Sequence, residues 1–532
     1  MKPAFGIVSF LLAAAVAFLP AIADENPVAL LKGLGPWTHP IATGNPEAQK
    51  FFDQGLNLAY GFNRYEALRS FRKAAELDPH AAMAYWGIAL AQGPYFNMDG
   101  DPSFDLKGAC AAVDSGLKIA DAPERERAYL RAAATWCPEF HSKAYSDAMR
   151  ELSRAYPDDP DALTIYAESL LIPSRWHWYS ADGTPAEGVR EGERALEEVL
   201  RRWPQHPGAN HYYIHAVESS PSPERAVASA QRLMGIMPAA GHIVHMPGHI
   251  WLVLGEWQTA VEVNERAVEV DREYFRKTNV TGGSYEPYYL HNLDFILYAR
   301  TMQGHRAEAL HAIDELGNAV APMARSMPEM ADAFSAVPML TLARYREWDR
   351  ILKLPEPGAT LKSSRLVRHY ARCLAFVAKR DRKSAEAEFA AFEKSREGIP
   401  EDASWGQNKA RDVDTLASQV LVARLASSPS EAVSHWQQAV EMQDRFTYDE
   451  PPAWYYPVRE SLGAALLRAG EPAKAESVFR EGVRRTPHDG WMLFGLLESL
   501  KSQKKQQDAY WVKRELDAAW AKSDVVLRLQ DF

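Results

Sequence analysis

One stretch decides the fold: residues 51–79 read FFDQGLNLAYGFNRYEALRSFRKAAELDP. Within it, Gly55 is followed by Ala67 twelve positions later, Phe71 comes four positions after that, and Pro79 closes the stretch. Small residues let two helices approach closely, an aromatic side chain fills the space between neighbouring helix pairs, and a proline ends the second helix. The stretch therefore predicts one helix–turn–helix unit.

The same offsets recur near the other end of the chain, in residues 463–487, which read GAALLRAGEPAKAESVFREGVRRTP. The interval of twelve from an alanine to a closing proline also occurs at Ala148/Pro160, Ala195/Pro207 and Ala226/Pro238. This is the pattern of the tetratricopeptide (TPR) repeat, a helix pair of ~34 residues. We therefore predict an all-α fold, a right-handed superhelical solenoid of TPR-like helix–turn–helix pairs.

The repeats set the expected domain organisation. About ten helix pairs would cover residues 45–522, with a bend near 310–340. A linker is expected at 24–44 and a short tail at 523–532. Residues 93–106, 173–185 and 278–287 are rich in Gly, Pro and Asp and break the repeat pattern. We expect long loops there, and long loops on a solenoid often border its binding face.

The first 23 residues are typical of a secretory signal. Lys2 precedes an apolar run from Ala4 to Leu19, and the small-residue site Ala21-Ile22-Ala23 follows. We expect cleavage near Ala23 and a periplasmic or secreted mature chain. An uncleaved anchor is the alternative. The run is short for a membrane span and no second long apolar stretch follows, so an integral membrane protein is not expected.

Charge and cysteine content exclude several classes of function. The chain has 70 acidic and 60 basic residues, whereas nucleic-acid-binding proteins usually carry a basic stripe, so no nucleic-acid partner is expected. Cys110, Cys137 and Cys373 form no CxxC or CxxCH motif, which gives thioredoxin-like and c-type haem chemistry no support. An oxidising compartment permits a Cys110–Cys137 bridge, which the sequence leaves open.

Longer motifs carry a resemblance to a known family. They are GLNLAYGFNRYEALRSFRKAAELDP (55–79), AYWGIALAQGPYFN (84–97), HPGANHYYIHAVESSPSPERA (206–226), GHIVHMPGHIWLVLGEW (241–257) and DEPPAWYYPVRESLGAALL (449–467). With these motifs the chain resembles a family of exported bacterial tetratricopeptide repeat proteins, which is loosely similar to tetratricopeptide repeat protein 38. The resemblance implies the fold and export, and it implies no activity.

Histidines are the candidate functional residues. Six of the sixteen fall in one window: His211, His215, His242, His245, His249 and His291. The first in each of three successive repeats occupies an equivalent register position. His211 and His242 each lie four residues after a closing proline, and His242 and His291 each precede a turn alanine by eighteen.

Helical spacing extends this pattern, because residues i, i+3, i+4 and i+7 share one face. The three predicted stripes are His211/His215/Glu218, His242/His245/His249 and His291/Asp294. Adjacent helices lie roughly 8–10 Å apart, so imidazoles from neighbouring stripes can converge on one ion, with the middle stripe supplying shared ligands. Pro247 is expected to kink the middle helix between two of its histidines.

Two functions from different classes follow. The leading interpretation is an exported scaffold, by default not an enzyme, that binds a peptide or protein partner in its concave groove. The alternative is a transition-metal-binding protein or metalloenzyme that uses the histidines. Neutral imidazoles with one or two carboxylates suit Cu, Zn, Fe or Ni. Glu218 and Asp294 are then expected to bind the metal, to orient a histidine, or to act as a base.

Overall fold

The computed structural model describes residues 28–98, 101, 103–279, 285–323 and 327–532. The helices of the first half are α1 (Pro46–Tyr60), α2 (Arg64–Leu77), α3 (Ala82–Gln92), α4 (Leu106–Leu117), α5 (Glu124–Ala134), α6 (Ser142–Ala155), α7 (Pro160–Leu171), α8 (Val189–Arg202), α9 (Pro207–Glu218), α10 (Val227–Ile236), α11 (Gly241–His245), α12 (Pro247–Val253) and α13 (Trp257–Thr278).

The remaining helices are α14 (Glu286–Met302), α15 (Arg306–Val320), α16 (Pro328–Arg344), α17 (Trp348–Lys353), α18 (Lys362–Ala378), α19 (Arg382–Arg396), α20 (Ala410–Leu425), α21 (Pro429–Gln443), α22 (Arg459–Arg468), α23 (Pro472–Arg485), α24 (Gly490–Ser502) and α25 (Gln506–Ala519). Two short antiparallel strands, β1 (Ser404–Trp405) and β2 (Asn408–Lys409), form a hairpin between α19 and α20. The predicted all-α solenoid of TPR-like helix pairs is confirmed. The signal segment 1–23 lies outside the described residues.

The repeat residues act in packing as their spacing predicts. Phe71 is fully buried, and a Cβ added to Gly55 or Gly87 would lie 2.7 or 2.2 Å from its ring. Phe479 holds the same place between Gly463 and Gly495, where an added Cβ would lie 2.4 or 2.1 Å away. Each phenyl ring therefore fills the gap between its own helix pair and the next helix, and only glycine leaves room for it.

The predicted loops separate helices. Helix α3 ends at Gln92 and α4 begins at Leu106, and residues 99, 100 and 102 of this predicted loop lie outside the described residues. The connection 172–188 lies between α7 and α8 and includes a short 3-10 turn at Ile172–Ser174. Helix α13 ends at Thr278 and α14 begins at Glu286, so the third predicted loop lies partly outside the described residues. Cys110 and Cys137 form a disulfide that joins α4 to the segment after α5, while Cys373 is free and buried.

The buried apolar residues form two large cores. The first runs from Leu34 to Ile250 and the second from Leu252 to Leu516, so they meet at α12. The later repeats also return to this junction. His488 lies against Gly255, with 3.3 Å between the imidazole Nδ1 and the glycine carbonyl oxygen. This return brings the loop between α21 and α22 close to α12.

The segment before α1 is held by a buried carboxylate. Asp161 Oδ1 accepts hydrogen bonds from Tyr60 Oη at 2.7 Å and from Trp37 Nε1 at 3.1 Å, and it lies 3.2 Å from His206 Nε2. Its Oδ2 lies 2.8 Å from His39 Nδ1. Donors thus surround both carboxylate oxygens, so this group serves as a hydrogen-bonded clamp between the N-terminal segment and the solenoid.

Candidate metal centre

Four helices at the junction of the two cores carry the histidine cluster. Helix α9 carries His211 and His215, α11 carries His242 and His245, α12 carries His249, and α14 carries His291. The first five are 0–3% exposed. Helix α9 is buried along its whole length, which explains why its polar residues must find partners inside the protein.

The middle helix is interrupted as its proline predicts. Helix α11 ends at His245 and α12 begins at Pro247, with Met246 between them. A proline ring cannot donate the hydrogen bond that would continue the helix. The break nevertheless leaves His245 and His249 facing each other, with 2.7 Å between their Nε2 atoms.

The six imidazoles separate into two triads, which we call the first and second triad. The first consists of His211, His215 and His242, and the second consists of His245, His249 and His291. In each triad, every ring contributes one nitrogen, and these three nitrogens all lie within 4.8 Å of one another. The middle helix supplies members to both triads, whereas the predicted stripes were expected to converge on one ion.

Protein acceptors determine which nitrogen of two rings carries the proton. His211 Nδ1 lies 2.6 Å from the carbonyl oxygen of Tyr60, which can only accept. His245 Nδ1 lies 2.6 Å from Asn264 Oδ1, and the amide nitrogen of Asn264 donates to the carbonyl of Ala260 at 2.7 Å. Both rings therefore donate a hydrogen bond through Nδ1, so the lone pair of each Nε2 remains available to bind a metal ion.

One carboxylate orients a ring in each triad. Glu218 Oε1 accepts from His215 Nδ1 at 2.9 Å, and its Oε2 accepts from His249 Nδ1 at 2.5 Å. Histidines that bind metals usually donate their other ring nitrogen to a carboxylate or carbonyl in this way. Four of the six rings thus have the outer hydrogen bond that a metal-binding imidazole needs.

Two buried nitrogens of the first triad have no hydrogen-bond partner among the described residues. They are His215 Nε2 and His242 Nδ1. A buried polar atom without a partner costs free energy, so its presence calls for a physical explanation. In His215 the unpartnered atom is the lone-pair nitrogen that faces the other rings, where a cation would satisfy it.

Burial controls the protonation of five of the six rings. It lowers the pKa of His211 to about 3 and that of His291 to about 4, and it lowers the pKa of His215, His242 and His245 well below the usual range. Each of the last three is lowered further by its histidine neighbours. These five imidazoles are neutral at pH 7, which is the form that binds metal ions.

His249 is the exception. Burial alone would lower its pKa, but the carboxylates of Glu450 and Glu218 raise it to about 10. The ring therefore carries a proton on both nitrogens, and its Nε2 donates to the lone pair of His245. A metal ion bound between these two rings would replace that proton.

The distances between rings suit a metal ion of ordinary size. Tetrahedral bonds of 2.0–2.1 Å place two ligand nitrogens about 3.3 Å apart. His211 Nε2 and His242 Nε2 are already 3.1 Å apart. His245 and His249, at 2.7 Å, would have to separate by about 0.6 Å once the bridging proton is replaced by an ion. The donor set fits a transition metal in both triads.

The structure also places residues that sequence reasoning did not identify. Glu450, on the loop between α21 and α22, lies 3.1 Å from His249 Nδ1 through its Oε2. It belongs to the DEPPAWYYP motif, whose uncommon run of acids and prolines was the available signal. Asn264 lies on α13, the second helix of the same helix pair as His245, and its place in the repeat did not indicate this hydrogen bond. The Tyr60 carbonyl belongs to another repeat and is a backbone group, so it had no signal.

Asp294 occupies a different place from Glu218. It lies on the cavity wall three residues after His291, and it makes no hydrogen bond or ion pair with any residue that the structure describes. Burial raises the pKa of its carboxyl to about 7. Asp294 therefore does not hold a histidine ring, and its carboxyl is free to meet a bound molecule.

Aromatic side chains surround the imidazoles. Phe62 packs on His211 with ring centroids 4.5 Å apart, and Phe295 lies 4.7 Å from His245. Trp176, from the long loop after α7, meets the His215 ring edge-on at 5.4 Å. These rings exclude water from the nitrogens and hold each imidazole in place by packing.

No protein-family model and no curated protein matches the sequence. Among solved structures, the chain is similar to human IFIT1 in a dimer with m7Gppp-AAAA, with 13% identity, coverage of 90% of this chain and 91% of that chain, and a TM-score of 0.33. It is also similar to yeast Tom70, with 12% identity, coverage of 88% and 98%, and a TM-score of 0.35. Within the described residues, no helix is both long and apolar enough to cross a membrane.

Proposed function

We propose that this chain is a transition-metal-binding protein that holds two ions, one in each histidine triad. The observation that carries the proposal is the convergence of six imidazoles, five of them buried. His211, His215 and His245 are each oriented through Nδ1 by a protein acceptor, so that their Nε2 lone pairs face the centre. Such orientation is what a ligand set requires and what random packing of histidines does not supply.

The donor types indicate the class of metal. Each triad offers three imidazole nitrogens, all but that of His249 on neutral rings, and no thiolate belongs to either group. Imidazole suits Zn, Cu, Fe and Ni, whereas Ca and Mg prefer oxygen. Three protein ligands leave a position for an outside ligand, as in catalytic metal sites. A bound ion there would supply Lewis-acid chemistry or, for copper and iron, electron transfer.

The geometry favours the metal over a peptide as the occupant of the histidines. A peptide groove needs donors spaced along a surface, but His211 and His242 lie 3.1 Å apart inside the protein. A peptide or protein partner in the concave groove expected of such a solenoid remains a prediction. Export, to the periplasm or out of the cell, is part of this proposal and rests on residues 1–23.

The experiment is metal analysis of the mature protein, purified without a His-tag and reconstituted with Zn²⁺ or Cu²⁺. We expect two ions per chain, and one ion in each of the variants His211→Gln and His291→Gln. His311→Gln is the matched control, because its side chain is 77% exposed. His206 is unsuitable as a control because it is buried and bonds to Asp161.

Three outcomes would contradict parts of the proposal. A chain that takes up neither metal, while its circular dichroism shows a folded helical protein, would show that the cluster binds no ion. A single ion that either variant removes would show one shared site in place of two. Equal loss of metal in His311→Gln would show that binding occurs on the surface.

A further inference from the structure

A large cavity of ≈ 1650 Å³ lies against the histidine cluster. Its walls come from distant parts of the chain. Helices α14 and α16 form one side, the β1–β2 hairpin and the loop 445–455 form another, and Asn97 and Trp176 reach it from the first core. The volume exceeds that of most small-molecule sites, which are about 300–1,000 Å³.

Both triads reach this cavity through a single member. His242 of the first triad and His291 of the second line it, whereas His211, His245 and His249 are fully buried behind them. An ion in either triad is therefore approached from the cavity side.

The protein leaves the cavity-facing position of each ion without a ligand of its own. Both oxygens of Glu218 are taken by His215 and His249. Glu450 lies at the Nδ1 edge of His249, whereas Nε2 is the atom that faces His245. Since three imidazoles do not complete a four- or five-coordinate sphere, the remaining position belongs to an outside ligand.

The wall beside the ions is flat and aromatic. The ring of Tyr288 lies 4.6 Å from that of His242, and Trp176 lies 5.4 Å from His215; both line the cavity. Trp176 has φ +66°, a conformation that a bulky residue rarely adopts. Such strain is kept where the surrounding structure gains from the position of the side chain. Asp294 adds one carboxyl to this wall.

We propose that the cavity binds a small organic molecule with one oxygen donor and a flat apolar body. The oxygen coordinates an ion beside His242 or His291, the body lies against Trp176 and Tyr288, and Asp294 hydrogen-bonds to the bound molecule. This inference rests on the metal centre proposed above. It implies that the metal centre has a free coordination position, which a substrate in the cavity can occupy.

The test uses the full mature chain loaded with Co²⁺, whose visible absorption changes when a ligand coordinates it. Benzoate and acetate are the probes, because they share one donor group and differ by a flat ring. Both should change the spectrum, and benzoate should bind at least about tenfold more tightly, since burying the ring stabilises the complex by about 1.4 kcal/mol or more. Cobalt content is measured on the same samples.

Two variants test whether the ring of benzoate binds against the aromatic wall of the cavity. Tyr288→Ala should reduce the advantage of benzoate to less than about threefold and leave acetate binding unchanged. Tyr510→Ala, a tyrosine that is 57% exposed on α25, is the control and should change neither. Unequal cobalt content between variants would be corrected for before affinities are compared.

Three other outcomes of the cobalt experiment would each contradict the proposal or a part of it. A cobalt-loaded protein whose spectrum neither probe changes shows a closed centre and overturns this inference alone. Equal affinity for benzoate and acetate overturns the flat-body assignment. A folded protein that takes up no cobalt overturns the metal centre and this inference with it.

Discussion

His215 and His249 lie on different helices and are held by the same carboxylate. Glu218 accepts from His215 Nδ1 at 2.9 Å and from His249 Nδ1 at 2.5 Å, and the two rings meet edge-on with centroids 5.2 Å apart. One ring belongs to the first triad and the other to the second. The orientation of the two triads is therefore coupled through one side chain.

This coupling predicts the effect of Glu218→Gln. The amide offers one oxygen acceptor in place of two, and its nitrogen can only donate, so one of the two rings loses its acceptor. We expect the metal affinity of at least one triad to fall about 10–100-fold. The affinity of the other triad should fall less. Competition with a coloured chelator measures both affinities.

Glu193→Gln is the control for that variant. Glu193 is a carboxylate with 1% exposure, and its partners are Tyr179, Arg190 and Arg225. Its loss should lower thermal stability and leave metal affinity unchanged. The same drop in affinity from both variants would mean that Glu218 acts only through general stability.

The substitution Asn264→Leu should selectively weaken the binding of one of the two metal ions. His245 loses the acceptor that keeps the proton on Nδ1, so its Nε2 lone pair is no longer assured for the second triad. We expect about a tenfold or larger loss of affinity for one ion, with the first triad as the internal reference. Calorimetric titration with Zn²⁺ separates the two ions, and an equal loss in both would contradict the assignment.

The disulfide should stabilise the first core without affecting the metal centre. Cys110 and Cys137 are 27 positions apart in sequence, and closing a loop of this length stabilises a fold by about 3–4 kcal/mol in the chain-entropy account. The double variant Cys110→Ala, Cys137→Ala should unfold at a lower temperature and keep its metal content. An unchanged melting temperature would mean that the bridge closes no loop in the unfolded chain.

Asp161 should make the stability of the metal-free protein fall at acidic pH. Burial alone would raise its pKa, but hydrogen bonds from His206 and His39 hold it well below the usual range. The stabilisation is therefore complete above about pH 4, the usual aspartate pKa, and is lost as pH falls toward the folded pKa. Thermal melts in chelator at pH 7, 4 and 2.5 follow this loss.

Two variants distinguish the source of that acid sensitivity. Asp161→Asn should lower stability by about 3–5 kcal/mol at pH 7, since it breaks a buried charged network, and the gap from the unmodified chain should narrow at pH 2.5. Asp114→Asn, at an exposed position of α4, should follow the unmodified chain throughout. A constant gap at all three pH values would mean that Asp161 does not carry the effect.

Much of the fold could be predicted from sequence because the repeat is local. The spacing from Gly55 to Ala67, Phe71 and Pro79 involves one helix pair, and the structure places Phe71 against Gly55 as that spacing requires. The grouping of the histidines could also be predicted, because helical periodicity determines which residues share a face. The N-terminal signal and the bend near 310–340 remain predictions.

Other features of the site needed contacts between distant residues. Tyr60 and His211 are 151 positions apart, and the acceptor is a backbone carbonyl that every residue possesses. Glu450 reaches His249 only because the later repeats return to the junction of the two cores. No local pattern encodes either contact, since both depend on how successive repeats turn relative to one another.

The sequence by itself determined the helix pairs, the three histidine-bearing faces and the proline that divides the middle helix, because each follows from periodicity within one or two repeats. The tertiary structure decided how those faces divide into two triads, that Glu218 serves one ring of each, and that His242 and His291 alone open onto the cavity among the described members of the cluster. The physical reason is that ligand geometry depends on distances of a few ångströms between helices, and packing across the whole solenoid sets those distances.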